Sequence, residues 1–299
     1  MSAEPVLRLG VIGLSAGNGH PYSWSAILNG YDAEAMSACP FPAIPRYLAE
    51  RRFPDDRLPG ARVTHVWTQD RTLSESIARA ALIEQVVDEP GAMLGQVDGV
   101  LLARDDAESH SHFAGPFLEA GLPVYIDKPL ATSVAAAEAL LALARRPAQV
   151  FSCSALRYAV ELAMTDDLAE QIGTLEEVEA RAPKAWATYA AHAIEPVIAW
   201  LPHDAVAPLE VAREGTLTAV CALIGRVRAR FVTTGVADGE VAIDARGSRG
   251  AVRLVFEDSF SAFRAALAAF LEQVHTGVEQ IPRDQTLAVV RLIEAGARA

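Results

Sequence analysis

Short buried strands alternate with helices through the first half of the chain, and this alternation constrains the fold more than any other feature. The strand patterns are apolar runs that stop at glycine or at polar residues, at 6–12, 62–68, 97–103, 123–126 and 149–152. Helical patterns between them start near Trp24, Thr72, Phe113 and Ser133, and a proline-rich insertion at 30–60 is predicted to be irregular, with one short helix at 45–52. Such βαβ units have right-handed crossovers, so the sequence predicts a parallel sheet.

The second half of the sequence differs from the first, because its strand patterns follow one another without helices between them. They cover 174–182, 217–223, 227–234, 240–245 and 251–257, and two helical segments close the chain at 260–276 and 283–297. Consecutive strands joined by turns are typical of antiparallel sheets. The predicted fold class is therefore α/β, with a parallel-sheet domain at 1–155 and an α+β domain with a large, mostly antiparallel open sheet at 156–299. Whether the last helix packs on the second domain or back on the first is left open by the sequence.

Composition narrows the class of protein. The chain of 299 residues has 26 basic and 38 acidic side chains and a net charge of −12, which argues against nucleic acid and anionic membranes as partners. The three cysteines stand far apart and form no zinc-binding pattern, so no metal is expected. The sequence shows neither a secretory leader nor a membrane-spanning apolar run, and a cytoplasmic protein is the expectation.

The loop after the first strand is the first candidate for ligand binding, because α/β sheets bind ligands at the carboxyl ends of their strands. A dinucleotide fingerprint read from Gly13 places glycines at 13, 15 and 18, where this chain has Gly, Ser and Asn. The loop remains rich in glycine and precedes a helix N-terminus, which suits a phosphate, although a plain βα turn remains the alternative. The cofactor-binding candidates in this loop are Gly13, Ser15, Gly17, Asn18, Gly19 and His20.

The ends of the second and third strands add further cofactor-binding candidates. Thr68 stands where a ribose-binding acid is expected, and Asp70 follows two residues later, with capping of the next helix as its alternative role. Without that acid the sequence does not discriminate against a 2′-phosphate, so both NAD and NADP stay open. Arg104 and Asp105 follow the third strand.

The tripeptide Asp127-Lys128-Pro129 after the fourth strand is the sharpest signal in the chain. Of the 26 basic residues only Lys128 and Lys184 are lysines, so a retained lysine points to a need for an ammonium group. An acid beside a lysine at a strand end can hold that ammonium at the mouth of the sheet. A surface ion pair of little energetic value is the alternative.

The run from Val97 to Ala131, which ends in Asp127-Lys128-Pro129, resembles the Gfo/Idh/MocA oxidoreductases, the relatives of glucose–fructose oxidoreductase and inositol dehydrogenase. That family has Glu-Lys-Pro at the tripeptide. The resemblance extends from Leu9 to about Tyr158 and returns more faintly at 260–296. It implies a Rossmann domain, an open antiparallel α/β domain whose sheet face mediates dimers or tetramers, and a NAD or NADP cofactor.

The same resemblance implies roles for individual residues. Lys128 would contact the nicotinamide ribose and the substrate hydroxyl, and His192 fits the family's catalytic histidine, although the aspartate four residues before it is Thr188 here. From the residues alone, a histidine on an alanine-rich helix is more often structural. The pair Arg157-Tyr158 resembles the family's Arg-Phe or Arg-Tyr at the domain junction. The candidate substrate contacts are Arg157, Tyr158, Tyr189 and Glu195.

Three functions are consistent with these residues. The first is a NAD(P)-dependent oxidoreductase that interconverts a secondary alcohol and a ketone on a sugar, cyclitol or related polyol, with Lys128 and His192 as catalytic residues. The second retains the cofactor but catalyses an elimination, epimerisation or glycoside cleavage without net redox change. The third is a non-catalytic sugar-binding or regulatory protein with a degenerate nucleotide site, which the replaced fingerprint glycines favour and the retained Lys128 disfavours.

Overall fold

The computed structural model describes residues 6–201 and 206–298. Its first half contains a six-stranded parallel sheet with strand order β3-β2-β1-β4-β5-β6. The strands are β1 (Leu7–Ile12), β2 (Ala61–Trp67), β3 (Gln85–Val86), β4 (Gly99–Leu102), β5 (Val124–Ile126) and β6 (Val150–Phe151). The helices are α1 (His20–Asn29), α2 (Ala33–Ser37), α3 (Ala43–Ala49), α4 (Arg71–Ala80), α5 (His110–Glu119) and α6 (Val134–Leu141). This strand order is that of dinucleotide-binding doubly wound sheets.

The middle strands are buried on both faces, as parallel strands between helices must be. Ile12, Leu102 and Ile126 at their carboxyl ends are completely buried. The proline-rich insertion is more regular than expected, because it contains α2 and α3 rather than one short helix. The Asp32 side chain accepts a hydrogen bond from the Ala35 backbone N–H and caps α2, which is how so short a helix begins within the insertion.

The second half contains a mixed sheet with strand order β12-β11-β7-β10-β9-β8. Its strands are β7 (Leu175–Ala182), β8 (Val206–Glu214), β9 (Leu217–Ile224), β10 (Val227–Thr233), β11 (Ala242–Gly247) and β12 (Ala251–Val255). The helices are α7 (Asp166–Ile172), α8 (Trp186–Trp200), α9 (Ser259–Thr276) and α10 (Arg283–Arg298). Only β7 and β10 pair in parallel, so the expectation of a mostly antiparallel sheet is confirmed. Strand β8 was not predicted, because it is an edge strand whose residues are mostly exposed.

Side chains alternate across this second sheet. On one face, Val178 and Ala180 of β7 are buried beside Phe231 of β10, and α8 packs on these two strands. On the other face the charges form cross-strand ion pairs, in which Glu177 and Glu179 of β7 bind arginines of β10 and β11. The pairs are Glu177 with Arg228 and Arg246, and Glu179 with Arg230. Opposite charges on facing strands support this register.

The chain divides into two compact units rather than at one boundary near 155. The described residues up to Lys128 form the first unit with Ala139–Ser152 and Leu267–Gln280. The second unit comprises Pro129–Glu138, Cys153–Ala266 and the chain from Ile281 onward. The last helix, α10, packs on α8 within the second unit. The carboxyl-terminal part of α9 belongs to the first unit instead, because Phe270 packs there on Tyr125 and Phe151.

Within the described residues, no helix is both long and apolar enough to cross a membrane.

Candidate active site

One group of candidate residues lies at the carboxyl edge of the parallel sheet, within the first unit. The strand order reverses between β1 and β4, and the crevice at such a point is where doubly wound sheets bind ligands. Three loops meet there, at 13–19 after β1, at 103–106 after β4 and at 127–128 after β5. Each carries polar side chains that the sequence singled out, and the fold brings them together.

Asp127 is the centre of this group. Its Oδ2 accepts a hydrogen bond of 2.7 Å from Asn18 Nδ2 and lies 2.6 Å from His20 Nδ1, while its Oδ1 accepts the Lys128 backbone N–H at 2.7 Å. The carboxylate is buried, with 1% of its side chain exposed. Burial alone would raise the pKa of Asp127, but His20, Lys128 and the hydrogen bonds from His20 and Asn18 outweigh burial and lower the pKa to about 2. Asp127 therefore stays ionised and fixes the orientation of the His20 imidazole.

Lys128 projects its ammonium toward the loop after β4. Its Nζ lies 3.3 Å from Asp105 Oδ2, and only 7% of the lysine side chain is exposed. The other carboxylate oxygen of Asp105 accepts a short hydrogen bond from Ser15 Oγ, and the Asp105 backbone N–H donates to that same hydroxyl at 3.0 Å. An ammonium held in this way is a donor at a fixed position, which suits it to polarise a substrate oxygen.

Arg104 and Gln69 tie the ends of three strands together. Gln69, just after β2, accepts from the Leu14 N–H at 3.0 Å and donates to the Leu14 carbonyl at 2.7 Å. Arg104 binds Asp106 with two hydrogen bonds, at 2.9 and 2.7 Å, and reaches Gln69 Oε1 at 3.2 Å. Because the Arg104 guanidinium is already hydrogen-bonded to Asp106, the main role of Arg104 is to stabilise the wall of the crevice.

In the first loop, close packing requires glycine at Gly13 and at Gly19. A Cβ atom on Gly13 would lie 2.4 Å from Pro21 Cγ, and one on Gly19 would lie 2.5 Å from Ile44 Cδ1. Gly13 thus allows α1 to approach the end of β1, and Gly19 allows the insertion helix α3 to cover the loop. Gly17 has a φ of +81° and lies in the exposed turn.

The usual phosphate position at the start of α1 is altered. The His20 N–H donates to Asn18 Oδ1 at 2.9 Å, residue 21 is a proline without an N–H, and the Tyr22 N–H bonds the Gly19 carbonyl at 3.1 Å. The first turn of this helix therefore satisfies its own donors. The exposed backbone of the turn at Ala16 and Gly17 remains next to Ser15.

Thr68 and Asp70 serve the start of helix α4. The Thr68 hydroxyl donates to the Asp70 carbonyl at 2.6 Å, and the Asp70 carboxylate accepts from the Thr72 N–H at 2.8 Å. Capping, the alternative considered for Asp70, accounts for its side chain.

A dinucleotide fits some of these residues and not others. Lys128 fits, because its ammonium lies at the crevice beside Asp105 and Ser15 and can donate to oxygens of a bound nucleotide. Thr68, Asp70 and the first turn of α1 do not offer the free donors or the free acid that the usual pattern supplies.

A second group of candidate residues lies on and around α8, within the second unit. His192 Nδ1 lies 2.8 Å from Ser154 Oγ, and this fully buried hydroxyl also accepts the Leu156 N–H at 3.2 Å. Because a serine oxygen has two lone pairs, it can accept from both groups and hold the imidazole as the Nδ1–H tautomer. In that tautomer Nε2 is the nitrogen free of a proton.

Arg157 and Glu195 form a buried ion pair one turn along α8 from His192. Arg157 Nη1 lies 3.1 Å from Glu195 Oε2, and the same guanidinium also donates to Gln285 Oε1. Burial raises the pKa of Glu195 although Arg157 opposes the shift. Burial likewise raises the pKa of the neighbouring Tyr158 phenol. This cluster therefore stabilises the position of α8. Of the four candidate substrate contacts, Arg157, Tyr158 and Glu195 belong to the cluster, and only Tyr189 lies outside it.

Tyr189 lies one turn before His192, and the two rings meet edge to face at 4.8 Å. Its hydroxyl accepts a hydrogen bond of 2.6 Å from Lys184 Nζ. Sequence reasoning assigned no site role to Lys184, Ser154 or Gln69. The rarity of lysine was the signal that pointed to Lys184, whereas nothing in the sequence marked Ser154 or Gln69.

The family comparison extends over much of the first unit. Residues 43–154 match the GFO_IDH_MocA family model, described as an oxidoreductase family with an NAD-binding Rossmann fold. The predicted resemblance to the Gfo/Idh/MocA oxidoreductases is confirmed. The oxidoreductase class and the NAD-type cofactor agree with that family's description. The match begins in α3 and leaves out β1 and the loop at 13–19, the segment in which the fingerprint glycines are replaced.

Solved structures share the whole fold at low sequence identity. GenD2 from gentamicin A biosynthesis, in complex with NAD, superposes with a TM-score of 0.73 at 16% identity, covering 99% of this chain and 94% of its own. A myo-inositol dehydrogenase from Corynebacterium glutamicum superposes with a TM-score of 0.69 at 14% identity, covering 98% and 96%. The apo scyllo-inositol dehydrogenase from Lactobacillus casei has a TM-score of 0.69 at 13% identity, covering 98% and 96%. No curated protein sequence matches the chain at a significant level.

Proposed function

We propose that the protein is an NAD-dependent oxidoreductase that interconverts a secondary alcohol and a ketone on a sugar, cyclitol or related polyol. The observation that carries this proposal is the position of Lys128, whose buried ammonium is held by Asp105 at the switch point of the sheet. Two of the similar structures are inositol dehydrogenases, which supports a polyol as the substrate.

Lys128 is proposed to bind the substrate oxygen that changes between hydroxyl and carbonyl. An ammonium there stabilises the negative charge that develops on this oxygen as its proton leaves. Bound NAD would supply the hydride acceptor. Asp127 keeps the loop backbone in place through its bond to the Lys128 N–H, so it is a positioning residue.

His192 is proposed to take the hydroxyl proton on Nε2. Ser154 accepts from Nδ1–H in the tautomer described above, so Nε2 is the ring nitrogen that carries no proton and can take one up. In the reverse reaction the same nitrogen returns the proton to the alkoxide. The role of Lys128 follows from the geometry of the first unit, and the role of His192 follows from the geometry of the second unit.

NAD rather than NADP is proposed as the cofactor. A 2′-phosphate needs a free cation near the end of β2, and the arginine that follows this strand is Arg71. Its guanidinium is paired with both Asp88 and Glu75. The positive charge of Arg71 is therefore already compensated by carboxylates and is not available to bind a 2′-phosphate.

Calorimetric titration of the nucleotide-free protein with NADH and then NADPH tests the cofactor proposal. We expect NADH to bind at least tenfold more tightly than NADPH. Absence of binding by folded protein would reject the redox function and favour the non-catalytic sugar-binding role.

A screen of polyols with NAD, followed by absorbance at 340 nm, then tests the reaction. Turnover without net NADH release would instead support the redox-neutral reactions.

Lys128→Ala tests the proposed chemistry. It should abolish hydride transfer while circular dichroism shows that the variant is still folded, although loss of the buried pair with Asp105 lowers the midpoint of thermal unfolding. Full activity in this variant would remove Lys128 from the mechanism. Arg226→Gln is the matched control, because Arg226 is an exposed cation in the β9–β10 turn without an ion pair among the described residues.

Self-association through the open face of the second sheet is a further part of the proposal. The face that bears the ion pairs of Glu177 and Glu179 is the one opposite to α8, and its residues carry both signs of charge. Such a surface can pair with a second copy of itself through complementary charges. Sedimentation velocity at low and high salt tests this, with a dimer or tetramer that dissociates in salt as the expected result.

A further inference from the structure

Lys184 is the only lysine besides Lys128, and its side chain lies beside the candidate acid/base. Its Nζ donates to the Tyr189 hydroxyl at 2.6 Å and stands 4.3 Å from the centre of the Tyr189 ring. Tyr189 in turn contacts His192. The three side chains therefore form one polar cluster at the start of α8, within the second unit.

The charge of Lys184 is not compensated within the described part of the chain. Lys128 is paired with Asp105, and Arg157, the other cation near His192, is paired with Glu195. Lys184, by contrast, has Tyr189 as its side-chain partner and forms no ion pair with any carboxylate in residues 6–201 and 206–298. An exposed ammonium without a carboxylate partner attracts an anion locally, although the net charge of −12 of the whole protein opposes this.

The backbone at Lys184 is held in a conformation that lysine does not favour. Its φ is +59°, in the left-handed region where a residue with a Cβ is strained relative to glycine. Two backbone hydrogen bonds hold it there, from the Lys184 N–H to the Val236 carbonyl at 2.7 Å and from the Gly235 N–H to the Lys184 carbonyl at 2.8 Å. Glycine would satisfy the same turn without strain, so the turn itself does not explain the lysine. Strained residues held in place in this way are concentrated at functional sites.

We propose that Lys184 and Tyr189 bind an anionic group of the substrate, so that the polyol acted on is a carboxylated or phosphorylated sugar. Lys184 supplies the charge, and the Tyr189 hydroxyl, which accepts from Lys184, directs its own proton to an anionic oxygen. The pair lies beside His192, so anchoring the anionic group there fixes the position of the ring hydroxyls relative to this imidazole. The inference rests on the proposed function, because it names the substrate class of that same site.

Binding of matched sugars to the full-length protein saturated with NADH tests the inference. Calorimetry would compare glucose with glucuronate, for the carboxylate, and with glucose 6-phosphate, for the phosphate. We expect one of the two anionic sugars to bind at least tenfold more tightly than glucose, with affinity that falls as salt rises. Equal affinity for all three sugars, or no measurable binding of any, would overturn the inference.

Variants at the pair then assign the preference to these residues. Lys184→Gln should lose at least tenfold in affinity for the anionic sugar and little for glucose, Lys184→Arg should retain most of it, and Tyr189→Phe should lose a smaller factor. Arg226→Gln, at the opposite end of β10 from Val236, is the control and should bind like wild type. Retained anion preference in Lys184→Gln would overturn the inference.

The proposed function fails in a different way. If NADH does not bind, the redox proposal is wrong, yet the sugar titrations can still be made on the nucleotide-free protein and still show or exclude a Lys184-dependent preference for the anion. If NADH binds and neutral polyols are oxidised without any preference for anionic ones, the redox proposal stands and this inference alone is wrong.

Discussion

Asp127 Oδ2 lies 2.6 Å from His20 Nδ1, so a buried carboxylate orients an imidazole directly beside the candidate catalytic Lys128. The fourth-strand tripeptide and the altered first loop are thus one structural unit, although more than a hundred residues separate them in sequence. Asn18 completes the arrangement, because its amide donates to the same carboxylate oxygen and its carbonyl oxygen accepts the His20 N–H. The unusual Asn-Gly-His segment of the loop is therefore matched to Asp127.

Asp127→Asn tests how strongly the fold depends on this carboxylate. Removing one partner of a buried charged network costs about 3–5 kcal/mol of unfolding free energy at pH 7. The folded-state pKa of Asp127, about 2, lies below the ordinary aspartate value of 3.8, so its stabilisation is fully present above pH 3.8 and is lost as pH falls through about 2. We expect urea denaturation to show that the wild-type advantage shrinks by roughly 2 kcal/mol across this interval.

The control for this variant is Asp98→Asn. Arg8 lowers the pKa of Asp98 chiefly through a side-chain hydrogen bond, but this pair lies on the surface, where ion pairs contribute only about 0–1 kcal/mol. Equal losses in the two variants would show that Asp127 is no more than another solvated carboxylate.

The sequence predicted the elements whose patterns are local. Buried runs such as Val97–Leu102 marked the parallel strands, and Asp127-Lys128-Pro129 marked the edge at which Lys128 lies. Strand β8 escaped notice, because an exposed edge strand needs no alternation of apolar residues.

Partnerships between distant residues could not be predicted. The bond of Ser154 to His192 and that of Gln69 to Leu14 depend on how loops meet, and serine and glutamine occur in too many settings for their types to signal a site. The same reason applies to Thr68 and Asp70, since their residue types do not show that Asp70 caps α4 and that the Thr68 hydroxyl donates to the Asp70 carbonyl.

Glu195→Gln should reverse the pH trend seen with Asp127. Burial raises the pKa of Glu195, so the unfolded carboxylate loses its proton first and the folded protein loses stability as pH rises above 4.5 through the folded-state pKa. We expect this negative slope of unfolding free energy with pH in the wild type and its absence in Glu195→Gln. Glu195→Ala, which leaves Arg157 buried without its partner, should cost about 3–5 kcal/mol. Identical pH profiles of wild type and Glu195→Gln would contradict the burial argument.

Ser154→Ala should change the tautomer of His192. The hydroxyl accepts from Nδ1–H in the proposed arrangement, so long-range ¹H–¹⁵N spectra of the neutral imidazole should show the Nδ1–H form in the wild type. In Ser154→Ala that form should give way to the Nε2–H form, and His192→Gln assigns the signals. Ser133→Ala is the control, because its hydroxyl also caps a backbone N–H, that of Ala136, without touching His192. An unchanged tautomer in Ser154→Ala would show that the serine does not orient the base.

Two helical glycines should respond differently to replacement by alanine. A Cβ on Gly296 in α10 would lie 2.2 Å from the Trp186 ring, whose indole N–H is already fixed to the Ile293 carbonyl at 2.9 Å. Because this ring cannot move without losing that bond, Gly296→Ala should cost roughly 1–3 kcal/mol, as overpacking does. Gly115→Ala in α5 is the matched change, since its Cβ would meet only Leu143 Cδ1 at 3.7 Å, an ordinary contact. There the gain in helix propensity is opposed by Pro116, which disfavours helical backbone in a preceding residue that has a Cβ, so stability should change by less than about 1 kcal/mol in urea denaturation. An equal loss at both glycines would show that crowding is not what separates the two sites.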